Sequence, residues 1–164
     1  MAFSHVVVDD GTREVPILNK FGKEICKIYF RPTDYSIIDR YNKVMERLNG
    51  VLEPLSGIAL ERDGSAQNDS DWELLKSVEK RLKEEINYLF DMDEADAIFS
   101  TRDPFSSVHG EFFCTNVLNA LGEFIKAAFE EEARLANERI SEYTSDLPEE
   151  SEVNEDAGAT SDNA

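Results

Sequence analysis

Apolar and polar positions alternate near the start of the chain, where turn signals separate two apolar runs. Ile28 and Phe30 alternate with Lys27, Tyr29 and Arg31. This alternation is the period of a strand with one buried face. Gly22 lies between this run and an earlier apolar run at residues 15–18, as in a hairpin turn. The pattern predicts a β-hairpin over about residues 13–31.

Further along the chain, apolar residues recur at spacings of three and four, the period of a helix with one buried face. In the first of these segments they include Ile37 and Ile38, which are therefore expected on the buried face of that helix. Thr33 and Ser70 stand where N-caps are expected, and Ser70 opens a capping-box pattern with Glu73. The predicted helices cover about residues 33–52, 70–90 and 111–143. Together with the hairpin they predict an α+β protein, mostly α, with a helical domain that ends in a long C-terminal helix and a single folded domain over residues 1–144.

The last predicted helix changes character along its length. Its first half is apolar over most of its circumference, so we expect Leu121 and Phe124 to belong to the core. Its second half is charged and keeps only a narrow apolar seam. The apolar residues of the seam are Leu135, Ala136, Ile140 and Tyr143, and Arg139 is counted with them as part of the candidate partner or self-association surface. Two interpretations remain open: a contact surface for a partner helix or another copy of the chain, and simple solvation at the end of a core helix.

The net charge of −18 is large for 164 residues and unevenly placed. Residues 145–164 contain seven acidic residues and no Lys or Arg, which leaves −11 for the rest of the chain. Such a segment buries too little apolar surface to offset its ordering entropy, so we predict a disordered acidic tail over 145–164. Residues 56–69 are expected to form a flexible loop. The charge argues against nucleic acid and anionic membranes as partners.

Candidate chemistry is sparse. Cys26 and Cys114 lie in apolar patterns without CxxC spacing, as expected of buried reduced thiols in a reducing cytosol. His5 and His109 lack the neighbours of a metal site, and the carboxylates of residues 91–96 do not match an EF-hand loop. The sequence therefore predicts no catalytic, metal or cofactor site and a protein that is not an enzyme. It shows no apolar segment of about 18 residues and no signal peptide.

The order of elements resembles the tail assembly chaperones of long-tailed, siphovirus-type bacteriophages. A hairpin and helix are followed by a second helix that ends in "NYLFDMDEADAIFS", a short loop, and a final helix with an "R…R…Y" pattern. The matching residues are Leu89, Phe90, Asp91, Ala95, Ile98, Phe99, Phe105, Arg134, Arg139 and Tyr143. The resemblance covers roughly residues 13–144, and the loop at 56–69 falls outside the family pattern.

This resemblance implies a non-enzymatic role in the cytoplasm of an infected host. A protein of this family would bind the tape-measure protein and recruit tail-tube subunits during tail morphogenesis, and would be absent from the mature virion. It implies homo-oligomers such as rings or stacks, and a longer form made by ribosomal frameshifting. An alternative is an acidic interaction module or inhibitor, such as a DNA mimic, which would need carboxylates spread over one folded face.

Overall fold

The computed structural model describes residues 4–58 and 69–146. The chain is α+β and mostly α, with an N-terminal hairpin and a long C-terminal helix, as predicted. The elements are β1 (Arg13–Leu18), β2 (Glu24–Phe30), α1 (Tyr35–Leu52), α2 (Asp69–Phe90), α3 (Ala95–Ile98), β3 (Ser107–Val108), β4 (Glu111–Phe112) and α4 (Phe113–Ser145), with a 3-10 turn at Glu53–Gly57.

The hairpin of β1 and β2 buries one face. The strands pair antiparallel, and the register places Val15 opposite Ile28. Val15, Ile28 and Phe30 are buried, while Lys27 and Tyr29 of the opposite face are exposed. Because side chains alternate across a strand, the period seen in the sequence becomes the division between core and surface.

The turn between the strands is held by its own residues. The side-chain Oδ1 of Asn19 accepts hydrogen bonds from the backbone N–H groups of Phe21 and Lys23, at 2.9 and 3.0 Å. Gly22 has a φ of +79°, in the left-handed region that glycine adopts without strain. The turn thus closes where the sequence predicted it.

The caps of the first two long helices differ from the predictions. The N-cap of α1 is Asp34 rather than Thr33, and its side chain accepts the backbone N–H of Ser36 at 3.0 Å. Ser70 lies within α2, so it does not act as the N-cap. Both errors displace a boundary by one or two residues, because several adjacent polar residues can cap a helix and the sequence pattern does not choose among them.

Helices α1 and α2 pack side by side and antiparallel, because residues later in α1 contact residues earlier in α2. The Nε of Arg40 donates to the backbone oxygen of Leu89 at 2.9 Å, and Arg47 pairs with Glu85 at 2.7 Å. Both helices also contribute buried apolar residues to the hydrophobic core. These residues are Ile37, Val44, Leu48, Val51, Leu75, Val78, Leu82, Ile86 and Leu89.

A short helix follows α2 and is capped from it. The side-chain oxygen of Asn87 accepts the backbone N–H groups of Glu94 and Ala95, at 2.9 and 2.8 Å. Ala95 and Ile98 of α3 are buried. The start of this short helix is therefore attached to α2 through Asn87, a polar residue in the last turn of α2.

A second, small hairpin precedes α4 and corrects one predicted boundary. The last helix was predicted from about residue 111, but Glu111 and Phe112 pair with Ser107 and Val108 as strands β4 and β3. His109 and Gly110 both have positive φ, at 54° and 86°, as a two-residue type I′ turn requires. The apolar period continues through both elements, so it could not mark the change from strand to helix.

The chain divides into two compact units, with the boundary between Glu130 and Glu131. The first holds the hydrophobic core and all elements up to the first half of α4. The second contains the rest of α4. Most of the predicted loop at 56–69 and most of the predicted tail at 145–164 lie outside the described residues, apart from the 3-10 turn and the end of α4.

Candidate protein-interaction surfaces

The first half of α4 is a core helix. Its buried residues are Cys114, Val117, Leu118, Leu121, Ile125 and Ala128. Leu121 is therefore buried, as predicted. Phe124 is only half-buried and packs against the core with its ring 6.0 Å from that of Phe30. The buried residues of this half thus lie on one face of the helix, and the side chain of Phe124 beside that face stays partly open.

The second half of α4 carries the predicted seam, and the structure exposes all of it. Every described residue from 131 to 146 is exposed, including Leu135 at 40%, Ile140 at 59% and Tyr143 at 76%. At about 100° per residue, the five seam residues fall within an arc of about 140°. They therefore share one side of the helix, and all five are exposed to solvent.

The charges beside the seam pair within the helix. Arg134 forms ion pairs with Glu131, at 2.6 Å, and with Glu138. Such exposed pairs three and four residues apart contribute about 0.2–0.5 kcal/mol each to an isolated helix. The seam is thus flanked by charges that support the helix itself.

A groove lies between the β1–β2 hairpin and the first half of α4, with a volume of about 850 Å³. We call it the hairpin groove. Its apolar walls include Ile17, Val117 and Phe124. Three bases, Lys20, Lys23 and Arg102, also line it. Sequence reasoning missed this groove because its walls come from three separate stretches of the chain, and only the fold brings them together.

The bases of the hairpin groove have no carboxylate partner in the part of the chain that the structure describes. Lys20 lies over the ring of Phe21 at 5.0 Å, and Arg102 over the ring of Phe113 at 5.7 Å. By contrast, Lys27, Lys43 and Arg47 all form ion pairs. Glu24 also lines the groove, so three bases and one carboxylate give it a local excess of positive charge in a chain whose net charge is −18.

A second apolar surface lies between α1 and α4, around a cavity of about 320 Å³. Ile38, predicted to lie on the buried face of the first helix, is instead 42% exposed here. Tyr35 is exposed and its ring is tilted against that of Phe129, with ring centroids 5.6 Å apart. The prediction for Ile38 failed because the apolar stripe of α1 is wider than the surface that packs on it.

Tyr41 and Gly122, which both line this cavity, lie in close contact. The hydroxyl of Tyr41 donates to the backbone oxygen of Leu118 at 3.1 Å. A Cβ at Gly122 would lie 2.3 Å from that hydroxyl oxygen. Gly122 therefore makes room for the tyrosine that joins α1 to α4.

A third apolar feature precedes β1. We call residues 4–12 the N-terminal arm. Val6, Val7 and Val8 are exposed at 88%, 83% and 75%. The side chains of Asp9 and Asp10 accept the backbone N–H groups of Gly11 and Thr12, each at 3.0 Å. The arm therefore combines an uncovered β-branched run with two carboxylates, next to the Asp-Gly turn that the sequence shows.

The titratable groups singled out in the sequence are dispersed. Burial raises the pKa of the Cys114 thiol to about 11, so its nucleophilic thiolate is scarce at neutral pH. Burial also raises the pKa of the half-buried Cys26. Among the residues that the structure describes, no group of three or more His, Cys, Asp or Glu side chains is arranged to hold a metal ion.

The carboxylates of residues 91–96 have separate partners. Asp93 accepts from the side-chain nitrogen of Asn87 at 3.0 Å, and Asp96 pairs with Lys83 at 3.0 Å. Glu94 accepts the backbone N–H of Tyr29 at 3.4 Å. These groups therefore tie α3 to α2 and β2, which accounts for their density in the sequence.

No helix in the described part of the chain is both long enough and apolar enough to cross a membrane. A scan against protein-family models, a search of curated proteins and a search of solved structures each found no match to this chain.

Proposed function

We propose that this chain is an assembly chaperone of the kind that it resembles, the tail assembly chaperones of long-tailed bacteriophages. In this role it has no catalytic activity. It binds the tape-measure protein, recruits tail-tube subunits in the host cytoplasm, and leaves before the virion is complete. Copies of the chain associate with one another while it acts.

The observation that carries this proposal is the exposed seam on α4. Ile140 and Tyr143 are large apolar side chains, and they are 59% and 76% exposed. A narrow apolar stripe between charged flanks is the surface that an amphipathic helix uses to contact another helix. The net charge of −18 supports the same role, because it keeps a protein with exposed apolar surface in solution.

The test is co-expression with the tape-measure protein, the long helical protein that this proposal expects to be encoded beside this gene. We expect that protein to be insoluble alone and soluble with the chain, and the two to co-purify. Ile140→Asp should abolish the effect. Ser141→Asp, which adds the same charge on the opposite side of the same helix turn, should retain it.

Equal insolubility with and without the chain would overturn the proposal. Co-purification of the chain with a DNA-binding enzyme, and not with a helical partner, would instead support an acidic inhibitor. Reading the genes on either side adds a check that needs no protein: a long coiled-coil-rich reading frame downstream and a tube-protein gene upstream are expected.

A further inference from the structure

We infer that the hairpin groove receives the N-terminal arm of a second copy of this chain, so that two copies exchange arms. This inference goes beyond the proposed function, because neither the groove nor the arm belongs to the seam. It follows from two features of the described residues that complement each other in both hydrophobicity and charge.

The arm needs a cover that its own chain does not supply. Val6 and Val8 are 88% and 75% exposed, and no residue of the arm lines the hairpin groove of its own chain. Three consecutive β-branched residues favour an extended conformation. Extended chain alternates its side chains, so Val6, Val8 and Asp10 fall on one side, with Val7 and Asp9 on the other.

The hairpin groove provides apolar surface and positive charge for the side of the arm that carries Val6, Val8 and Asp10. Ile17, Val117 and Phe124 provide apolar walls for the two valines. Lys20 and Lys23 provide charges of the opposite sign for Asp10, and neither forms an ion pair within residues 4–58 and 69–146. Two chains of charge −18 repel each other at long range, but salt screens this repulsion beyond about 8 Å, so the local charges decide the contact.

The strand edge itself contributes little to this contact. Pro16 lies in the middle of β1 and has no N–H to donate, so β1 cannot offer an unbroken ladder of hydrogen bonds to an added strand. The arm is therefore anchored by its side chains. An exchange of this kind closes on itself, because each copy supplies one arm and one groove to a two-fold dimer.

The experiment uses the full chain with Ile140→Asp as the background, which removes association through the seam. Sedimentation equilibrium should show a dimer at micromolar concentration. Adding Val8→Asp should raise the dissociation constant by about tenfold or more, because it places a charge among apolar walls. Val7→Asp, the same change on the other side of the arm, should leave the dissociation constant within about threefold. Circular dichroism should be the same for all three proteins.

Cross-complementation identifies the pair of surfaces. Asp10→Lys alters the arm, and Lys20→Glu with Lys23→Glu alters the groove. Each variant alone should be monomeric, and a mixture of the two should form a dimer, because every arm then meets a groove of opposite charge. The dimer of the Ile140→Asp chain, with arm and groove otherwise unchanged, should weaken as salt rises, which is opposite to the salt dependence expected for the seam.

A monomer at all concentrations in the Ile140→Asp background would overturn the inference, including the case in which the arm covers the groove of its own chain. Equal effects of Val7→Asp and Val8→Asp would also overturn it, as would a mixture of charge variants that stays monomeric. None of these results bears on whether the chain keeps a helical partner soluble.

Discussion

The two halves of α4 belong to one continuous helix and have opposite environments. Six residues between Cys114 and Ala128 are buried, whereas every described residue from 131 to 146 is exposed. The first half is therefore stabilised by burial in the core. The second half depends on helix propensity and on the ion pairs of Arg134. The exposed surface of the second half is the basis of the functional proposal.

The largest expected effect is the difference in stability lost when the same substitution is made in each half of α4. Leu118 is fully buried and Leu135 is 40% exposed, so the same substitution tests both environments. Leu118→Ala should lower the free energy of unfolding by about 2–5 kcal/mol through lost burial and a cavity. Leu135→Ala should change it by less than about 0.5 kcal/mol. Denaturant titration measures both, and similar losses would show that the second half is also packed.

The next effect concerns the contact between α1 and the buried half. Gly122→Ala should lower the free energy of unfolding by about 1–3 kcal/mol, because its Cβ would displace Tyr41. In a Tyr41→Ala background the same change should cost nothing. Gly50→Ala is the matched control, since open space surrounds Gly50 in the interior of α1, and it should stabilise by about 0.5–1 kcal/mol. Destabilisation by Gly50→Ala as large as that by Gly122→Ala would remove the steric argument.

A smaller effect is expected at the N-cap of α1. Asp34→Ala should cost about 1 kcal/mol, and Asp34→Asn should cost little because Asn also caps well. Hydrogen bonds from the hydroxyl and backbone N–H of Ser36 lower the pKa of Asp34. A carboxylate with a lowered pKa stabilises the folded state above its unfolded pKa, about 3.9, and loses this contribution as pH falls through the folded pKa. Thermal unfolding should therefore show the difference between wild type and Asp34→Ala shrinking in acid.

The smallest effect is expected at the end of the chain. Truncation after Thr144 removes a stretch with seven acidic residues and no Lys or Arg. The unfolding midpoint should shift by less than about 4 °C, which corresponds to about 1 kcal/mol for a domain near this size. A larger fall would mean that residues 145–164 contribute to folding.

The sequence was sufficient where one periodic signal decided the structure. The hairpin and the three long helices were predicted from apolar residues that recur every two residues and every three to four residues. Strands and helices with one buried face have these two periods. Helix starts were less certain, since Thr33 and Asp34 can both cap α1. The β3–β4 hairpin was missed because two residues per strand are too few to show a period.

The candidate surfaces were predictable only in part. The seam could be read from sequence because its residues lie within one helix, at Leu135, Ala136, Arg139, Ile140 and Tyr143. The hairpin groove could not, because Ile17, Arg102 and Phe124 become neighbours only through the fold. The exposure of Ile38 was missed for a related reason: amphipathic patterns locate an apolar stripe but do not show how much of it another element covers.

The most direct test of the central claim, that the exposed half of α4 is a contact surface, is sedimentation of wild type, Ile140→Asp and Ser141→Asp from low to moderate salt. Wild type and Ser141→Asp should form species larger than those of Ile140→Asp at micromolar concentration. These should increase with salt as the repulsion between acidic chains is screened. Helicity should be nearly equal in all three. Identical profiles for the two Asp variants, or no increase with salt in wild type, would contradict the claim.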